Sequence, residues 1–250
     1  MSLKQNSLKL LLCIYAAQRT AEAGLSLPQL RELVPDITDT GCRSLVILME
    51  KKKLIYRKRI FKVTSYHLTD LGVKALKDAF PSLNDSWAQW EGEWMAVSFL
   101  KAPTSDKQFR FLRTAVLADG ALPLGRGLYV KANGFSKQVL NELEHSYQAS
   151  VTVFWIKEWL QGFDKPVIYS YYDLNDISGV LSGISNNIDR LLSIYSIEKR
   201  LNKKEKNEFI FDVDRFCQCL RECPGFLHYY FPELPGIHEM LVKMGRLLLI

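Results

Sequence analysis

SLPQLRELVP at positions 26–35 and ITDTGCRSLVILMEKK at positions 37–52 predict two short helices joined by a tight turn. Ser26 is a residue type that caps helix N-termini, and Pro28 is well tolerated in a first turn. Because a proline disfavours helical geometry at the residue before it, Pro35 should end the first helix there. The interpretation of the N-terminal third depends on this pair of helices.

The second helix, predicted from Asp39 to about Lys52 with Thr38 as its N-cap, has two distinct sides. Apolar side chains recur at helical spacing and should face the core: Cys42, Leu45, Leu48 and Met49. The opposite side, near the start of the helix, carries Thr40, Arg43, Ser44 and Ile47. Small polar and cationic side chains in the first turns are typical of a helix that enters the major groove of DNA.

A basic hairpin is predicted directly after these helices. The alternating runs LIYRKRIFKV at positions 54–63 and YHLT at positions 66–69 indicate two strands joined by a short turn. The first run carries four cations: Arg57, Lys58, Arg59 and Lys62. A ribbon of this kind can lie along phosphates, so the helices and the hairpin together predict a winged helix-turn-helix that binds double-stranded DNA. The alternative interpretation is a solvated basic surface with no partner.

The positive charge of the chain is concentrated in its first third. The 250 residues carry a net charge of +6, with a pI near 9.0. Residues 1–80 hold 14 Lys and Arg against 7 Asp and Glu, which leaves 19 basic and 20 acidic residues for the remainder. Because phosphate contacts dominate non-specific affinity for DNA, this asymmetry is expected of a DNA-binding head on a neutral body.

The sequence predicts an α+β fold with three domains. The winged helix-turn-helix would span residues 1–82 and end in a turn-rich boundary. Residues 87–162 have the order strand–helix–strand–strand–helix–strand, which is typical of a ferredoxin-like α/β sandwich, with a hairpin around Gly125 and Arg126. Residues 166–250 would form a mostly α-helical C-terminal domain with helices over 177–197, 209–221 and 237–249, the first two joined by a charged link at 199–206.

No metal, cofactor or membrane segment is predicted. Cys217, Cys219 and Cys223 lie close together, but their spacing lacks the C-x-x-C pair of common zinc sites. The sequence has no P-loop, dinucleotide fingerprint or Gly-x-Ser-x-Gly elbow. Its apolar runs are shorter than a membrane span and its N-terminus lacks a signal-peptide pattern, so a cytoplasmic location is expected.

Three groups of residues, in one order along the chain, carry a resemblance to a known family. They are Tyr66-x-Leu68-Thr69-x-x-Gly72; Trp90-x-Gly92-x-Trp94 followed by Arg110-x-x-Arg113 and Gly127-Leu128-Tyr129-Val130; and Cys223-Pro224 with Phe231-Pro232-x-x-Pro235-Gly236. The chain resembles the phenylacetic-acid-degradation repressor (PaaX) family of bacterial regulators. The resemblance implies a dimeric, three-domain transcriptional repressor, released from its operator by an aryl-acyl-CoA thioester such as phenylacetyl-CoA.

Two groups of side chains in the middle domain are candidates for binding such an effector. Trp90 and Trp94 could stack an aryl group or an adenine, although packing at a domain junction is the commoner role of such residues. Arg110, Arg113 and Arg126 could bind the phosphates of an acyl-CoA, because the guanidinium fork matches phosphate oxygens. The alternative for these arginines is a solvated helix face and hairpin tip.

Two other functions stay open at this point. A metal-dependent nuclease of the small CRISPR-associated ferredoxin-like type would need a carboxylate near the end of the first strand of the middle domain. That strand ends in Phe99-Leu100-Lys101, and Asp106 falls in the following helix, so the chain is not expected to be an enzyme. The other function is that of an adaptor that binds no nucleic acid.

Overall fold

Two antiparallel sheets and a helical C-terminal region confirm the α+β class. The computed structural model describes residues 4–60, 63–100, 107–147, 149–161, 164–234 and 236–250. By their contacts, the residues group into two compact units. The first unit combines Met1–Asp85 with Leu174–Ile250, and the second unit is Ser86–Asp173.

The helices and strands follow one another in a single list along the chain. They are α1 (Gln5–Ala21), β1 (Leu25–Ser26), α2 (Leu27–Glu32), α3 (Asp39–Lys51), β2 (Ile55–Ile60), β3 (Val63–Leu68), α4 (Asp70–Ala79), β4 (Trp94–Phe99), α5 (Lys107–Ala118), β5 (Leu122–Gly125), β6 (Leu128–Ala132), α6 (Lys137–Tyr147), β7 (Val151–Ile156), α7 (Asp164–Tyr171), α8 (Leu174–Glu198), α9 (Lys203–Glu222), α10 (Leu227–Tyr230) and α11 (Ile237–Leu248). Within the described ranges, every helix is too short or too polar to cross a bilayer.

Side-chain caps fix the starts of α2 and α3 where the sequence predicts them. Ser26 Oγ accepts a hydrogen bond from the backbone N–H of Gln29, and the Gln29 side chain returns to the Ser26 backbone in a capping box. Thr38 Oγ1 accepts from the N–H of Gly41 at 3.1 Å. These bonds satisfy N–H groups that the first turn of a helix leaves without an intrahelical partner.

The strands of the first sheet lie in the order β1-β3-β2, and both pairings are antiparallel. Tyr66 of the central strand lies opposite Leu25 of β1 and Arg57 of β2. Gly72, in the first turn of α4, comes close to the start of β2. A Cβ at this position would lie 1.9 Å from the carbonyl oxygen of Leu54, so the backbone approach requires glycine.

Helix α1 is buried on all its sides through its central turns. Leu10, Leu11 and Ile14 have no exposed surface, and Lys9 is 2% exposed. The helix packs against α4 and β3 on the one hand and against α9 and α11 on the other. The predicted segments 1–82 and 166–250 therefore contribute to a single unit, while the division into three domains stays a prediction.

The second unit is built on a four-stranded antiparallel sheet in the order β5-β6-β4-β7. Gly127 has a φ of +82° at the turn between β5 and β6, where the sequence predicts a hairpin. Lys131 Nζ lies 2.8 Å from Asp119 Oδ2, which joins β6 to the end of α5. The buried core of the unit includes Val97, Leu112, Val116, Tyr129, Val139 and Leu143.

The predicted core face of α3 is wrong at Leu48. This side chain is 46% exposed, and Val46 is buried with Cys42 and Met49 in its place. The reason is geometric: at about 100° per residue, Leu48 lies roughly 120° around the helix from Cys42. The apolar face is therefore narrower than the run of apolar residues suggests.

The charged link predicted at 199–206 is wrong in its second half. Asn202 caps α9, and its side chain forms a capping box with Glu205, so the helix begins at Lys203. Helix α2 ends at Glu32, before the position expected from Pro35. Helix α7 was absent from the predicted elements. The local capping signal at Asn202 outweighs the high charge of the segment that follows it.

Candidate nucleic-acid interface

The exposed side of α3 carries the side chains predicted to contact bases. Thr40, Arg43 and Ser44 are all exposed, and Ile47 is 50% exposed on the following turn. Thr38 is exposed too, but its hydroxyl oxygen already accepts the capping hydrogen bond from Gly41. Among the predicted residues on α3, the side chains with freedom to reach a ligand are therefore those in the first two turns after the cap.

An ion pair holds α2 to the start of α3. The guanidinium of Arg31 donates to the Asp39 carboxylate, and its Nη1 also donates to the carbonyl oxygen of Val34 at 2.9 Å. The hydrogen bond from Arg31 holds the pKa of Asp39 below its ordinary value, so this carboxylate is ionised at neutral pH. The sequence analysis missed the pair, although an arginine and an aspartate flanking a predicted helix–helix turn are a detectable signal.

The β2–β3 hairpin presents the predicted phosphate-binding cations. Arg57, Lys58 and Arg59 are exposed on β2, and Lys62 lies outside the described residues. Arg57 Nε lies 3.6 Å from Oε1 of Glu50 on α3. This contact joins the hairpin to the helix, so the cations of β2 and the exposed side of α3 belong to one part of the molecule.

The side of the hairpin that carries His67 is anchored by packing. The rings of Tyr56 and His67 stack with their centroids 5.3 Å apart, and Ser65 Oγ lies 3.0 Å from His67 Nε2. Burial lowers the pKa of His67, and the positive charge of Lys58 lowers it further. The imidazole is therefore neutral at pH 7 and acts as a rigid support for the base of the hairpin.

The tryptophans proposed to bind an effector are buried in the second unit. Trp90 is 7% exposed and Trp94 is 1% exposed. Their rings meet edge to face with centroids 5.7 Å apart, and Trp90 Nε1 donates to the carbonyl oxygen of Glu93 at 3.0 Å. This burial favours the packing role over contact with a ligand, and the effector assignment stays a prediction.

The three arginines proposed to bind phosphates are exposed. Arg110 and Arg113 lie one turn apart on α5, and Arg126 lies in the turn between β5 and β6. Phe111, between the first two, is 64% exposed. The helix thus presents two guanidinium groups and an aromatic ring to solvent, which is compatible with the predicted phosphate contacts and with a solvated face.

The cysteines are free thiols in buried positions. Burial raises the pKa of Cys217, Cys219 and Cys223 to about 12 in each case, so these thiols stay protonated at neutral pH. Among the residues that the structure describes, no cluster of three or more His, Cys, Asp or Glu side chains could hold a metal ion. Asp106, considered for a nuclease, lies outside the described residues.

Comparisons with known proteins give little further information. No known family model matches the sequence, and no curated protein matches it. Among solved structures, the chain is similar to an uncharacterized protein, Rv0674 from Mycobacterium tuberculosis, with 14% identity and a TM-score of 0.44 over 95% of this chain and 97% of that chain. A likeness of this degree carries no argument about fold or function.

Proposed function

We propose that the chain is a transcriptional repressor that binds double-stranded DNA through a winged helix-turn-helix near its N-terminus. The order α1-β1-α2-α3-β2-β3 and the sheet order β1-β3-β2 support this assignment. In it, α3 is the recognition helix and the β2–β3 hairpin is the wing. The observation that carries the proposal is the Arg57–Glu50 contact, because it joins the cationic hairpin to the exposed polar side of α3.

The residues of this surface have separate tasks in the proposal. Thr40, Arg43 and Ser44 contact base edges in the major groove, where side chains of these types discriminate between base pairs. The cations of the wing bind phosphates, which sets affinity and register without reading sequence. These phosphate-binding residues are Arg57, Lys58, Arg59 and Lys62.

The remaining parts of the proposal concern the rest of the chain. The strand order β5-β6-β4-β7 with α5 and α6 after β4 and β6 supports a ferredoxin-like arrangement in the second unit. Following the resemblance to the PaaX family, we propose a homodimer in which each subunit binds one half-site. An acyl-CoA effector would then contact Arg110, Arg113 and Arg126.

The proposed repressor function is tested by fluorescence anisotropy. A labelled duplex from the region upstream of the protein's own gene is compared with a shuffled duplex of equal length and composition. Specific operator binding predicts an affinity at least about 10³-fold higher for the upstream duplex at the same salt concentration. Equal affinity for the two duplexes would contradict operator recognition in that region.

The proposed inducer is tested on the same complex. Phenylacetyl-CoA should release the labelled duplex, while coenzyme A without the acyl group should not. An effector can shift the equilibrium only by its difference in affinity for the bound and released conformations. The variant R110Q/R113Q should therefore bind DNA normally and require a higher thioester concentration for release. An unchanged requirement would exclude these arginines from the effector site.

A further inference from the structure

A cavity in the first unit lies next to helix α2. It has a volume of about 290 Å³ and lies where α2 meets the turn between α8 and α9 and the end of α11. This volume is at the small end of the range for ligand pockets, about 300–1,000 Å³, so it suits a small molecule and not a peptide.

Buried apolar residues and exposed cations divide the lining of the cavity. Leu33, Phe209 and Leu248 contribute apolar surface, with Leu33 and Phe209 almost fully buried. The exposed lining residues include the cations Lys199, Arg200 and Lys206. An apolar interior with positive charges at its rim favours a ligand that has an apolar body and an anionic head.

One carboxylate of the protein already uses this positive charge. Lys206 Nζ lies 3.1 Å from Oε2 of Glu32, and both side chains are about half exposed or more. A pair of this exposure contributes little to stability, so an incoming anion can replace the glutamate at low cost. With Glu32 counted, the charged side chains named here have an excess of two positive charges.

We propose that this cavity binds an amphipathic carboxylate, with the apolar chain against Phe209 and Leu33 and the carboxylate on Lys206 in place of Glu32. Helix α2 would respond directly because it carries Glu32 at its last residue. Arg31, the preceding residue, donates to Asp39 in the first turn of α3. Gln29 Nε2 donates to the carbonyl oxygen of Leu248 at 2.9 Å, which attaches the same helix to the end of α11.

The site is therefore a regulatory site for α3. Release of Glu32 removes one of the attachments of α2 to the C-terminal helices and frees α2 to shift together with Arg31 and Asp39. This consequence for DNA rests on the proposed function, whereas binding of the carboxylate does not. The two claims are separable by experiment.

The binding claim is tested by isothermal titration calorimetry of the full chain with sodium octanoate, and with 1-octanol as the neutral analogue. Loss of a charge-assisted hydrogen bond costs about 1.5–3 kcal/mol, so Lys206→Gln should weaken octanoate binding roughly 10-fold or more. Glu32→Gln removes the competing carboxylate and should tighten it several-fold. Lys204→Gln, on the same helix but outside the lining, should leave the affinity unchanged.

Opposite effects of Lys206→Gln and Glu32→Gln distinguish a binding site from a merely structural ion pair, since loss of such a pair would affect both variants alike. Absence of octanoate binding by the wild-type chain, or equal affinity in the wild-type and Lys206→Gln proteins, would overturn the proposal. Octanoate binding with these shifts but without any change in DNA affinity would overturn the regulatory part alone. Failure of the wild-type chain to bind DNA would instead reject the proposed function and leave the carboxylate site standing.

Discussion

Arg57 of the β2–β3 hairpin pairs with Glu50 of α3, with Nε of the arginine 3.6 Å from Oε1 of the glutamate. The arginine side chain is 65% exposed and the glutamate side chain 25% exposed. The contact orients the hairpin against the helix, but it also places a carboxylate beside a cation that we assign to a phosphate. The free protein therefore holds Arg57 in position and partly neutralises it.

Removal of that carboxylate should strengthen DNA binding. Glu50→Gln frees Arg57 and removes a negative charge near the phosphates, and exposed pairs are worth about 0.2–1 kcal/mol. We expect a roughly two- to five-fold higher affinity for duplex DNA, measured by anisotropy at low salt. The gain should vanish in an Arg57→Gln background. An equal gain in both backgrounds would show that Glu50 acts without Arg57.

Substitution of Gly245 should destabilise the first unit. A Cβ at this position of α11 would lie 2.0 Å from Thr20 Oγ1 and 2.4 Å from the carbonyl oxygen of Ala16, both on α1. Gly245→Ala must push the two helices apart, and overpacking of this kind costs about 1–3 kcal/mol. Chemical denaturation measures the loss of unfolding free energy.

The matched control for this variant is Gly183→Ala in α8. A Cβ at Gly183 would meet no atom within 4 Å. Because alanine favours a helix over glycine, this substitution should raise the unfolding free energy by about 0.5–1 kcal/mol. A loss of stability in Gly183→Ala as large as that in Gly245→Ala would show that the close approach of α1 and α11 is not the cause.

The buried ion pair between α1 and α9 should respond unequally to loss of its two partners. Lys9 Nζ lies 2.7 Å from Asp214 Oδ2, and the lysine side chain is 3% exposed whereas the aspartate side chain is 40% exposed. Asp214→Ala leaves a buried, uncompensated ammonium and should cost about 3–5 kcal/mol. Lys9→Met leaves a carboxylate that water can still solvate, so it should cost much less. Equal losses in urea denaturation would contradict this account.

Acidification should destabilise the protein in part through His67. Burial holds the pKa of this residue below its ordinary value, so the folded chain stays neutral there at pH values where the unfolded chain binds a proton. The unfolding free energy should be constant above about pH 6.5 and fall below it, by at most about 1.4 kcal/mol per pH unit for this one group. Denaturation of the wild-type and His67→Gln proteins between pH 7.5 and 5.5 measures the difference. Parallel pH profiles would exclude the contribution of His67.

Features encoded in a few adjacent residues could be predicted from the sequence. The capping residues Ser26 and Thr38 mark the starts of α2 and α3, because a cap depends on three or four neighbouring positions. The hairpin register and the exposed cations of β2 follow from strand alternation. The exposed position of Thr40, Arg43 and Ser44 on α3 follows from helical spacing.

Features that depend on distant residues could not be predicted. The burial of Lys9 on all sides results from packing of α1 against helices encoded after residue 200, and nothing near Lys9 announces Asp214. The Arg57–Glu50 and Lys206–Glu32 contacts likewise join separate elements. Leu48 was misassigned because an apolar residue type does not by itself indicate a buried one.

The central claim, that the β2–β3 hairpin binds phosphates beside a recognition helix, is tested most directly by the salt dependence of DNA binding. The variant R57Q/K58Q/R59Q is compared with the wild-type protein and with K107Q/K137Q/K157Q, which removes three exposed cations from the second unit. Each lost phosphate contact should lower the slope of log K against log salt by about 0.9, so the hairpin variant should lose roughly 2 to 3 in slope. The control variant should retain the wild-type slope. Identical slopes and affinities for the hairpin variant and the wild-type protein would contradict the account.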